Sequence, residues 1–540
     1  MRYLVLLLLA CLAGPLSAQV AITETPLTPE AAAGIVAFYN AEQTTRLSGD
    51  SRVAAGNELS GNVAVLEGSL TLAGHISGDL VVINGDAVFE QGAHVDGTVS
   101  VVGGSIRGAD LLSAQRIVWY RGRLKYELRD GLLFLARESQ GGELSAGRQF
   151  KFGRTDMLVA ARGGYNRSEG LPIFIGPRLT LSGSNPTMIE GLFIFRSAAL
   201  FRFDEQDYGY ALRAEQFVGG RRARVGVRYA SEVQPVELWG LSDRETSLAG
   251  FVLHQDFRDH YTREGWSAYI GDGRSGNPFD WRIEYAAYRY FNAPLRDPYS
   301  LFNNPDAWRD EPQVDPVRLR TLHAQTTYDT RNDDRDASSG WLVNADVEAA
   351  VALRSGAASS FSPHYRFALI DVRRYARLSP LSRVQLRAVA AGSISGAALP
   401  VFRQQSLGGE GSLPGYKPYA YDCGGHDSTG GPGRTLYYGC DRLVLFQLEY
   451  QARFRWLSRL SSDLGPEYGL FQNIRGVLFF DTGRTWNEPE HTGARALGSS
   501  DFVADAGFGL RFGRIGAYWA LPLSARVHGL NFFVRLEPRL

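Results

Sequence analysis

The stretch that decides the fold is Val444 to Trp456, VLFQLEYQARFRW, in which apolar and polar side chains alternate. The apolar set is Val444, Phe446, Leu448, Tyr450, Ala452, Phe454 and Trp456, and the polar set is Gln447, Glu449, Gln451, Arg453 and Arg455. Because successive side chains of a strand point to opposite faces, this pattern predicts a β-strand with one apolar and one charged face. A soluble β-sandwich and a membrane β-barrel both show such alternation.

Similar strands recur from about residue 165 to residue 540, and aromatic residues such as Trp341 stand at their ends, which favours a membrane barrel. Sixteen candidate strands can be placed, eleven before a long glycine-rich loop and five after it. They lie near residues 167, 189, 205, 221, 247, 260, 279, 317, 340, 362 and 382, and then near 442, 475, 502, 516 and 530. Closure of an antiparallel barrel normally requires an even number. The predicted fold class is therefore all-β, with a sixteen-stranded transmembrane antiparallel β-barrel over 165–540.

The beginning of the chain predicts export. Residues 1–18 combine Arg2 with an apolar run and small residues before Gln19, which is typical of a secretory signal. Cys11 allows the alternative of a lipoprotein site. The chain has 57 basic and 57 acidic residues, so its charge gives no reason to expect a nucleic-acid partner. A G-x-S-x-G elbow, a P-loop and an H-E-x-x-H pair are all missing from the sequence, so we expect no enzymatic activity and no cofactor.

A different repeat occupies residues 51–116. The motif Leu59-Ser60-Gly61-Asn62-Val63 returns in related form at Ile76 and at Val95, with spacings of 17 and 19 residues. Each unit has a glycine turn and a short apolar run that cannot bury its own face, so stacked units predict a short β-solenoid. The stretch resembles the polymer-forming bactofilin type of β-helix, and a glycine-rich linker is the alternative.

Two segments flank the predicted solenoid. Residues 19–50 are expected to form a mobile N-terminal segment with one short helix from Pro29 to Gln43. Residues 117–164 are expected to form a connector that leads into the barrel.

Five separated motifs resemble the bacterial surface antigen, or BamA-like, superfamily of outer-membrane barrels. They are Tyr165 to Leu171; Tyr328 to Arg331 with Asp333, Asp334, Arg335, Asp336 and Gly340; Gly408-Gly409 with Gly415-Tyr416; Phe479 to Gly483; and Ala506 to Arg511. The resemblance implies a location in the bacterial cell outer membrane and a loop that folds back into the barrel between the eleventh and twelfth strands. The chain resembles the branch of this superfamily that has no periplasmic POTRA modules, since residues 19–160 lack the β-α-α-β-β pattern of those modules.

The loop with this resemblance includes Phe402 to Tyr416, FRQQSLGGEGSLPGY. In the family, an arginine before the Gly-Tyr pair meets an aspartate of the thirteenth strand, which corresponds to Asp481. Pro414 stands at the arginine position. Our hypothesis is that Lys417 or Arg403 supplies the missing cation, because a charge-assisted pair inside a barrel is strong and geometrically specific. The alternatives are a loop stiffened by Pro414 and a disulfide, or a solvated Asp481.

The predicted site residues are Gly408, Gly409, Gly415, Tyr416 and Lys417 in the loop, Asp481 and Gly483 on the thirteenth strand, and Cys423 and Cys440 as a disulfide. Cysteines of an exported chain usually pair, and two unpaired loop thiols are the alternative. The acidic hairpin from Asp329 to Asp336 allows a calcium site. A turn neutralised by Arg331 and Arg335 is favoured instead, so no metal is predicted.

The last predicted strand runs from Leu530 to Leu540 and resembles the C-terminal insertion signal of outer-membrane barrels. Pro538 removes one ladder donor, so the strand is expected to pair weakly with the first one. In the family such a weak seam is thought to let the barrel open sideways, and harmless fraying is the alternative.

Three functions are compatible with these features. The first is assistance in inserting or translocating proteins or lipids through the outer membrane, with unfolded outer-membrane proteins as clients. The second is a structural anchor in outer-membrane lipid, whose solenoid binds a periplasmic partner. The third is a passive pore, in which the inward-facing charges set the ion preference.

Overall fold

The protein is described by a computed structural model. The described residues are 22–124, 126–129, 132–135, 146–152, 155–161, 164–196, 208–237, 239–274, 277–294, 296–302, 308–331, 336–354, 364–379, 382–421, 423, 439–453, 474–487, 502–523 and 529–540. The signal predicted for residues 1–18 lies outside them. The chain forms two compact units, one built mainly from the residues up to Glu138 and the other from most of the residues after it.

In its described residues, the N-terminal unit is a parallel β-solenoid with one α-helix and a short 3-10 helix, Ala109–Leu111. Its elements are β1 (Ile22–Pro26), α1 (Pro29–Asn40), β2 (Thr44–Ser48), β3 (Ser51–Val53), β4 (Glu58–Leu59), β5 (Asn62–Leu72), β6 (His75–Ile76), β7 (Leu80–Phe89), β8 (His94–Val95), β9 (Thr98–Val102), β10 (Ile106–Arg107), β11 (Arg116–Arg121), β12 (Tyr126–Arg129) and β13 (Leu132–Leu135). One sheet has the order β1-β11-β9-β7-β5-β2, and β4, β6 and β8 form a second, short ladder.

The register of the ladders explains the sequence repeat. Val63 pairs with Leu80, and Leu80 pairs with Val99, so equivalent residues of successive units lie above one another. All three side chains are fully buried in the solenoid core. At each turn a side chain caps the next unit, as where Asn62 Oδ1 accepts the Asp79 N–H at 3.0 Å. The predicted solenoid is confirmed.

The boundaries predicted around the solenoid are wrong. Residues 19–50 were expected to be mobile, yet β1 pairs with β11 and β2 pairs with β5. The partner of β1 is distant in sequence, which leaves no local signal for pairing, whereas β2 lies about one solenoid repeat before β5. Helix α1 begins after the N-cap Thr28 and ends at Asn40 rather than Gln43. The predicted connector 117–164 contains the end of β11, then β12 and β13, and two strands of the second unit.

The second unit is an antiparallel sheet whose strands pair in chain order. Its elements are β14 (Ala146–Phe152), β15 (Thr155–Ala161), β16 (Pro172–Leu181), β17 (Thr187–Arg196), β18 (Gly209–Val218), β19 (Ala223–Pro235), α2 (Asp243–Leu253), β20 (His260–Asp272), β21 (Phe279–Asn292), β22 (Val317–Asp329), β23 (Gly340–Arg354), β24 (His364–Ser379), β25 (Ser382–Ser393), β26 (Arg442–Arg453), β27 (Ile474–Trp486), β28 (Val503–Phe512), β29 (Ile515–Pro522) and β30 (Asn531–Arg535).

The predicted fold class, all-β with a sixteen-stranded antiparallel barrel after a solenoid, is confirmed. The sixteen strands β15 to β30 divide into eleven before the long loop and five after it, and the sheet path carries β14 in addition. The matching number conceals two errors. The strand expected near residue 167 is a turn closed by the Asn166 and Gly170 backbones, and β15 before it and β16 after it were missed. The strand expected near residue 247 is helix α2.

Helix α2 forms where the sequence reads Ser242-Asp243-Arg244-Glu245. The Ser242 side chain accepts the Glu245 N–H, and the Glu245 carboxylate accepts the Ser242 N–H, which together make a capping box. This arrangement satisfies two amide groups that the first turn of a helix leaves without partners. The S-x-x-E signal was present in the sequence and outweighs the weak period-two pattern around residue 247.

The strands of the barrel bury their charged face. Leu478 of β27 is 60% exposed, whereas Asp481 of the same strand is fully buried. Asp481 faces inward on the same side of β27 as Arg475, opposite Leu478 and Phe480. Among the described residues no helix has the length and apolar character needed to cross a membrane.

Candidate functional site: the loop inside the barrel

Residues 394–441 join β25 to β26, and the first part of this loop is fixed to one side of the barrel interior. Phe402 is fully buried, and its ring stacks on Tyr290 of β21 with centroids 4.4 Å apart. Tyr261 of β20 contacts the same ring at 5.2 Å. Arg403 donates two hydrogen bonds to Glu348 of β23, at 2.8 and 3.0 Å. This bidentate geometry gives direction as well as strength.

The loop then makes a tight turn at the predicted Gly408-Gly409 pair. Both glycines have positive φ, +122° and +80°, which residues with a side chain rarely adopt. The Ser412 hydroxyl accepts the Gly408 N–H at 2.9 Å. A Cβ atom on Gly408 would lie 2.3 Å from the Lys417 carbonyl oxygen. The Gly-Gly pair is therefore required by the backbone of the turn.

After the turn, Gly415 and Tyr416 contact the strands at the far end of the sheet. The Gly415 N–H donates to Asp505 Oδ2 of β28 at 2.6 Å, and the Tyr416 hydroxyl donates to the Ala504 carbonyl oxygen at 2.8 Å. Asn531 of β30 donates to the Gly415 carbonyl oxygen at 2.7 Å. A Cβ atom on Gly415 would lie 2.7 Å from the Asp505 Cβ atom, so the approach needs a glycine. The loop thus spans the interior from β20–β23 to β28–β30.

Gly483 of β27 has a packing role against the same loop. Leu407 is fully buried, and its Cδ1 atom would lie 2.7 Å from a Cβ atom placed on Gly483. The glycine leaves the space that Leu407 fills. The sequence placed Gly483 in the site, and the structure brings it against the loop.

The cation at Asp481 is Arg539 of the predicted last strand, which the sequence did not indicate as its partner. Arg539 Nη2 donates to Asp481 Oδ2 at 2.5 Å, and Arg539 Nε lies 3.2 Å from Glu449 Oε2. Lys417 is exposed, and Arg403 pairs with Glu348 instead. The hypothesis that Lys417 or Arg403 pairs with Asp481 is therefore wrong.

This acidic cluster links the loop to the residues after β30. Asp481 and Asp505 are cross-strand neighbours, and both are fully buried. Two buried carboxylates side by side repel each other, so each needs its own donor. Arg539 serves Asp481 and the Gly415 N–H serves Asp505. The loop and the end of the chain therefore meet at one pair of carboxylates.

Cys423 and Cys440 are joined by a disulfide in the structure. The backbones of Cys440 and Gln405 exchange hydrogen bonds at 2.7 and 2.9 Å, so the bridge lies beside the first part of the loop. Residues 424–438, which the bridge encloses, lie outside the described part of the chain.

Asp336, the last acid of the predicted hairpin, pairs with cations of the barrel strands. Asp336 contacts Arg475 at 2.8 Å, Arg511 at 2.9 Å, and also Arg383. Arg335 of the predicted neutralised turn lies outside the described residues. Three guanidinium groups around one carboxylate oppose the calcium alternative at Asp336, because a cation site requires uncompensated oxygen ligands.

The Tyr165 to Leu171 motif forms a buried network of ion pairs with two segments that connect barrel strands. Arg167 is fully buried and donates to Asp259 at 2.8 Å and to Glu311 at 2.7 Å. These acids follow β19 and β21 in the chain, so one arginine fixes two connecting segments. The sequence identified this motif but assigned it to a strand.

Helix α2 contains a further residue of the site, Glu245, that the sequence analysis missed. The Glu245 carboxylate accepts from Arg535 Nε at 2.7 Å, from Arg535 Nη2 at 3.0 Å, and from the Leu536 N–H at 3.0 Å. It therefore connects the helix to the end of β30. The Ser-x-x-Glu capping signal could have located the helix, but nothing local marks Arg535 as its partner.

The last strand is shorter than predicted. Strand β30 ends at Arg535, and the residues after it place Arg539 in the interior rather than continuing to Leu540 as a strand. Among the described residues, β30 pairs with β29 on one side and has no ladder on the other. One edge of the sheet thus ends at a strand held by interior contacts.

The Omp85 superfamily domain matches residues 219–526, which is more than half of the chain. The chain belongs to the Omp85 superfamily. The predicted BamA-like recognition and the location in the bacterial outer membrane are thereby confirmed. The match covers the loop, the Asp481 strand and helix α2 of this Omp85 barrel.

Solved structures of low sequence identity resemble this Omp85 chain. BamA from Haemophilus ducreyi lacking POTRA domains 1–3 is 14% identical, with a TM-score of 0.42, and the alignment covers 76% of this chain and 80% of that one. CdiB from Acinetobacter baumannii is 9% identical, with a TM-score of 0.31, and the alignment covers 71% of this chain and 60% of that one. CdiB from Escherichia coli is 12% identical, with a TM-score of 0.32 and coverage of 71% and 61%. No curated protein matches the chain.

One group of side chains in the solenoid has the spacing of metal ligands. In the described part of this Omp85 chain, one group of histidine and acidic side chains brings three ligand atoms within 4.8 Å of one another. That group is His75, His94 and Asp96 of the solenoid.

Proposed function

We propose that this Omp85 barrel assists the insertion of unfolded proteins into the outer membrane without catalysing a chemical reaction. Family membership supports the coarser role, insertion or translocation of proteins or lipids at the outer membrane. The observation that carries the finer proposal is that the inserted loop and helix α2 both hold β30, the strand at the edge of the sheet.

Three interior contacts converge on β30. Asn531 donates to the Gly415 carbonyl oxygen at 2.7 Å, and Arg535 Nη1 donates to the Glu410 carbonyl oxygen at 3.1 Å. Arg535 also forms the bidentate pair with Glu245 of α2. The position of this five-residue strand is thus set by the loop and the helix as well as by β29.

An edge strand is a physical template for another strand, because its N–H and C=O groups on one side have no ladder partner. In hydrocarbon, each backbone group without a partner costs several kcal/mol, so pairing is more favourable there than in water. A client strand that pairs with β30 would satisfy its own backbone as it enters the membrane. The interior contacts would keep β30 in the geometry that accepts it.

The structure gives less support to the two other functions. A passive pore needs an open path, whereas the loop crosses the interior from Phe402 to Tyr416 and contacts both sides. An anchor role depends on a partner for the solenoid. The bactofilin-like polymer and the periplasmic partner stay predictions, as does the pairing of the barrel with particular lipids.

The test times the folding of an unfolded outer-membrane barrel protein added to lipid vesicles that contain the purified full-length chain. We expect faster folding than in empty vesicles, and no acceleration when residues 402–416 are deleted. An Arg535→Gln variant, which leaves the loop residues unchanged but removes the contacts of β30 with Glu245 and with the Glu410 carbonyl oxygen, should be several-fold slower than the unchanged chain.

Arg274→Gln is the matched control, because Arg274 is an exposed arginine paired with Asp272 on a turn between strands. It should leave the acceleration unchanged. Heat-modifiable migration on gels shows that each variant has a folded barrel. Folding no faster than in empty vesicles would overturn the proposal, and steady single-channel conductance in the same preparation would favour the pore.

A further inference from the structure

The short second ladder of the solenoid, β4-β6-β8, places ligand-type side chains in a column. Glu58 is in register with His75, and His75 is in register with His94. Asp96 follows His94 by two residues, so its side chain points to the same side. None of these residues belongs to the solenoid core, and all four are partly exposed.

The two histidines converge on the same carboxylate oxygen. His75 Nε2 lies 2.9 Å from Asp96 Oδ1, and His94 Nε2 lies 2.8 Å from the same atom. The centroids of the two imidazole rings are 4.9 Å apart. Two nitrogens and one oxygen therefore face a common point on the surface.

This ligand set suits a divalent metal of the first transition series. Imidazole and carboxylate bind Zn²⁺ and Cu²⁺ well, whereas Ca²⁺ and Mg²⁺ need more oxygen ligands. A tetrahedral zinc ion with bonds of about 2.0–2.2 Å separates its ligand atoms by about 3.3 Å. The two His–Asp separations need to open by a few tenths of an ångström, and all three ligand atoms already lie within 4.8 Å of one another.

Glu58 stands where an orienting group is expected. Its Oε1 atom lies 3.8 Å from His75 Nδ1, the ring nitrogen that points away from Asp96. In metal sites the second nitrogen of a ligand histidine usually donates to a carboxylate, which fixes the ring and raises its basicity. A small rotation of Glu58 would make this hydrogen bond.

We propose that His75, His94 and Asp96 bind one divalent transition-metal ion, of the Zn²⁺ and Cu²⁺ class, on the surface of the solenoid. The ion crosslinks two successive turns, because His75 and His94 belong to neighbouring strands of the ladder. Water or another ligand fills the remaining coordination positions, which face solvent. The site is independent of the role proposed for the barrel.

The test uses the full-length chain in detergent, purified without a polyhistidine tag and freed of metal with a chelator. Zn²⁺ alone is titrated against it by competition with a fluorescent zinc indicator. We expect one equivalent to bind, and each of His75→Gln and His94→Gln to weaken binding by at least about tenfold. Glu58→Gln should weaken it by about tenfold, and by less than either histidine variant.

Two matched controls separate this site from general binding. Glu90→Gln removes an exposed solenoid carboxylate that pairs with Arg52, and His323→Ala removes a histidine that pairs with a single carboxylate, Asp346, in the barrel. Both should bind Zn²⁺ as the unchanged chain does. The electron paramagnetic resonance spectrum of one equivalent of Cu²⁺ should show coupling to two nitrogens, and to one nitrogen in either histidine variant.

Three results would overturn the proposal. They are the absence of saturable binding below millimolar Zn²⁺, unchanged binding by the His75→Gln, His94→Gln double variant, and a copper spectrum without nitrogen coupling. In each case the three side chains are joined only by hydrogen bonds. Far-ultraviolet circular dichroism and protease resistance show that the variants keep the solenoid, so a lost site is not mistaken for lost folding.

Discussion

The solenoid and the barrel are both built from β-strands, yet they bury different kinds of side chains. In the solenoid, Val63 and Val82 are fully buried and apolar residues form the interior. In the barrel, Phe446 and Leu478 are at least half exposed, while Asp481 is fully buried. Alternation defines two faces of a strand, but the medium outside decides which face becomes the interior.

This difference changes what each interior requires. An apolar core is satisfied by close packing in any direction. A charged interior is stable only when each buried group finds a donor or a counter-ion with good geometry. The barrel accordingly contains specific pairs such as Arg403–Glu348 and Arg539–Asp481, and these pairs hold the loop and the last residues in place.

The largest expected effect comes from placing a charged side chain, of the kind that the barrel interior contains, in the apolar core of the solenoid. Val82→Asp places a carboxylate among apolar side chains with no donor, and we expect it to destabilise the solenoid by about 4 kcal/mol or more. The measurement is the urea concentration at which the N-terminal unit of the full-length chain becomes sensitive to protease. Ser60→Asp is the control, since Ser60 is exposed. Equal protease resistance of Val82→Asp and the unchanged chain would contradict a solenoid core that excludes water.

The next effect comes from removing a charge from the barrel interior. Arg539→Gln leaves Asp481 beside Asp505 without its cation, so we expect a loss of about 3–5 kcal/mol in barrel stability. Urea unfolding in vesicles, followed by tryptophan fluorescence, measures it. Lys417→Gln, at the exposed loop cation, should change stability by less than about 0.5 kcal/mol. A larger loss of stability in Lys417→Gln than in Arg539→Gln would restore the hypothesis that Lys417 pairs with Asp481.

A charge on the outward face tests the other half of the comparison. Leu478→Arg puts a guanidinium where the side chain is 60% exposed, and we expect a cost of about 2–4 kcal/mol in vesicles because the position faces lipid. Leu478→Phe is the uncharged control. If the arginine variant were as stable as the control, this face of β27 would be in contact with water.

The smallest effect concerns packing inside the barrel. Gly415→Ala brings a Cβ atom to 2.7 Å from the Asp505 Cβ atom and 3.0 Å from the Pro522 nitrogen. We expect a loss of about 1–3 kcal/mol and faster protease cleavage of the loop, because neither neighbour is a flexible side-chain end. Gly183→Ala is the control, since a Cβ there has no heavy atom within 4 Å. Loop protection equal to that of the control would show that the tip can shift freely.

Part of the candidate site was accessible from sequence. Gly408, Gly409 and Gly415 were placed in it through a resemblance, and the structure gives each a steric reason. Gly483 was placed there too, and it faces Leu407. Arg539 was not, because a cation 58 residues away from Asp481 leaves no local pattern. Helix α2 is an intermediate case. Its capping box is a local signal in the sequence, but the prediction followed the period-two pattern and placed a strand there.

The sequence by itself determined the two kinds of strand, the repeat at 17 and 19 residues, the position of the inserted loop, and the family to which the barrel belongs. These are local or periodic properties, set by the chemistry of neighbouring side chains. Only the tertiary structure decided that Arg539 pairs with Asp481, that Glu245 holds Arg535, and that β1 pairs with β11. The physical reason is that a buried charge or strand edge is satisfied by whichever partner folding brings close, and that partner can lie anywhere in the chain.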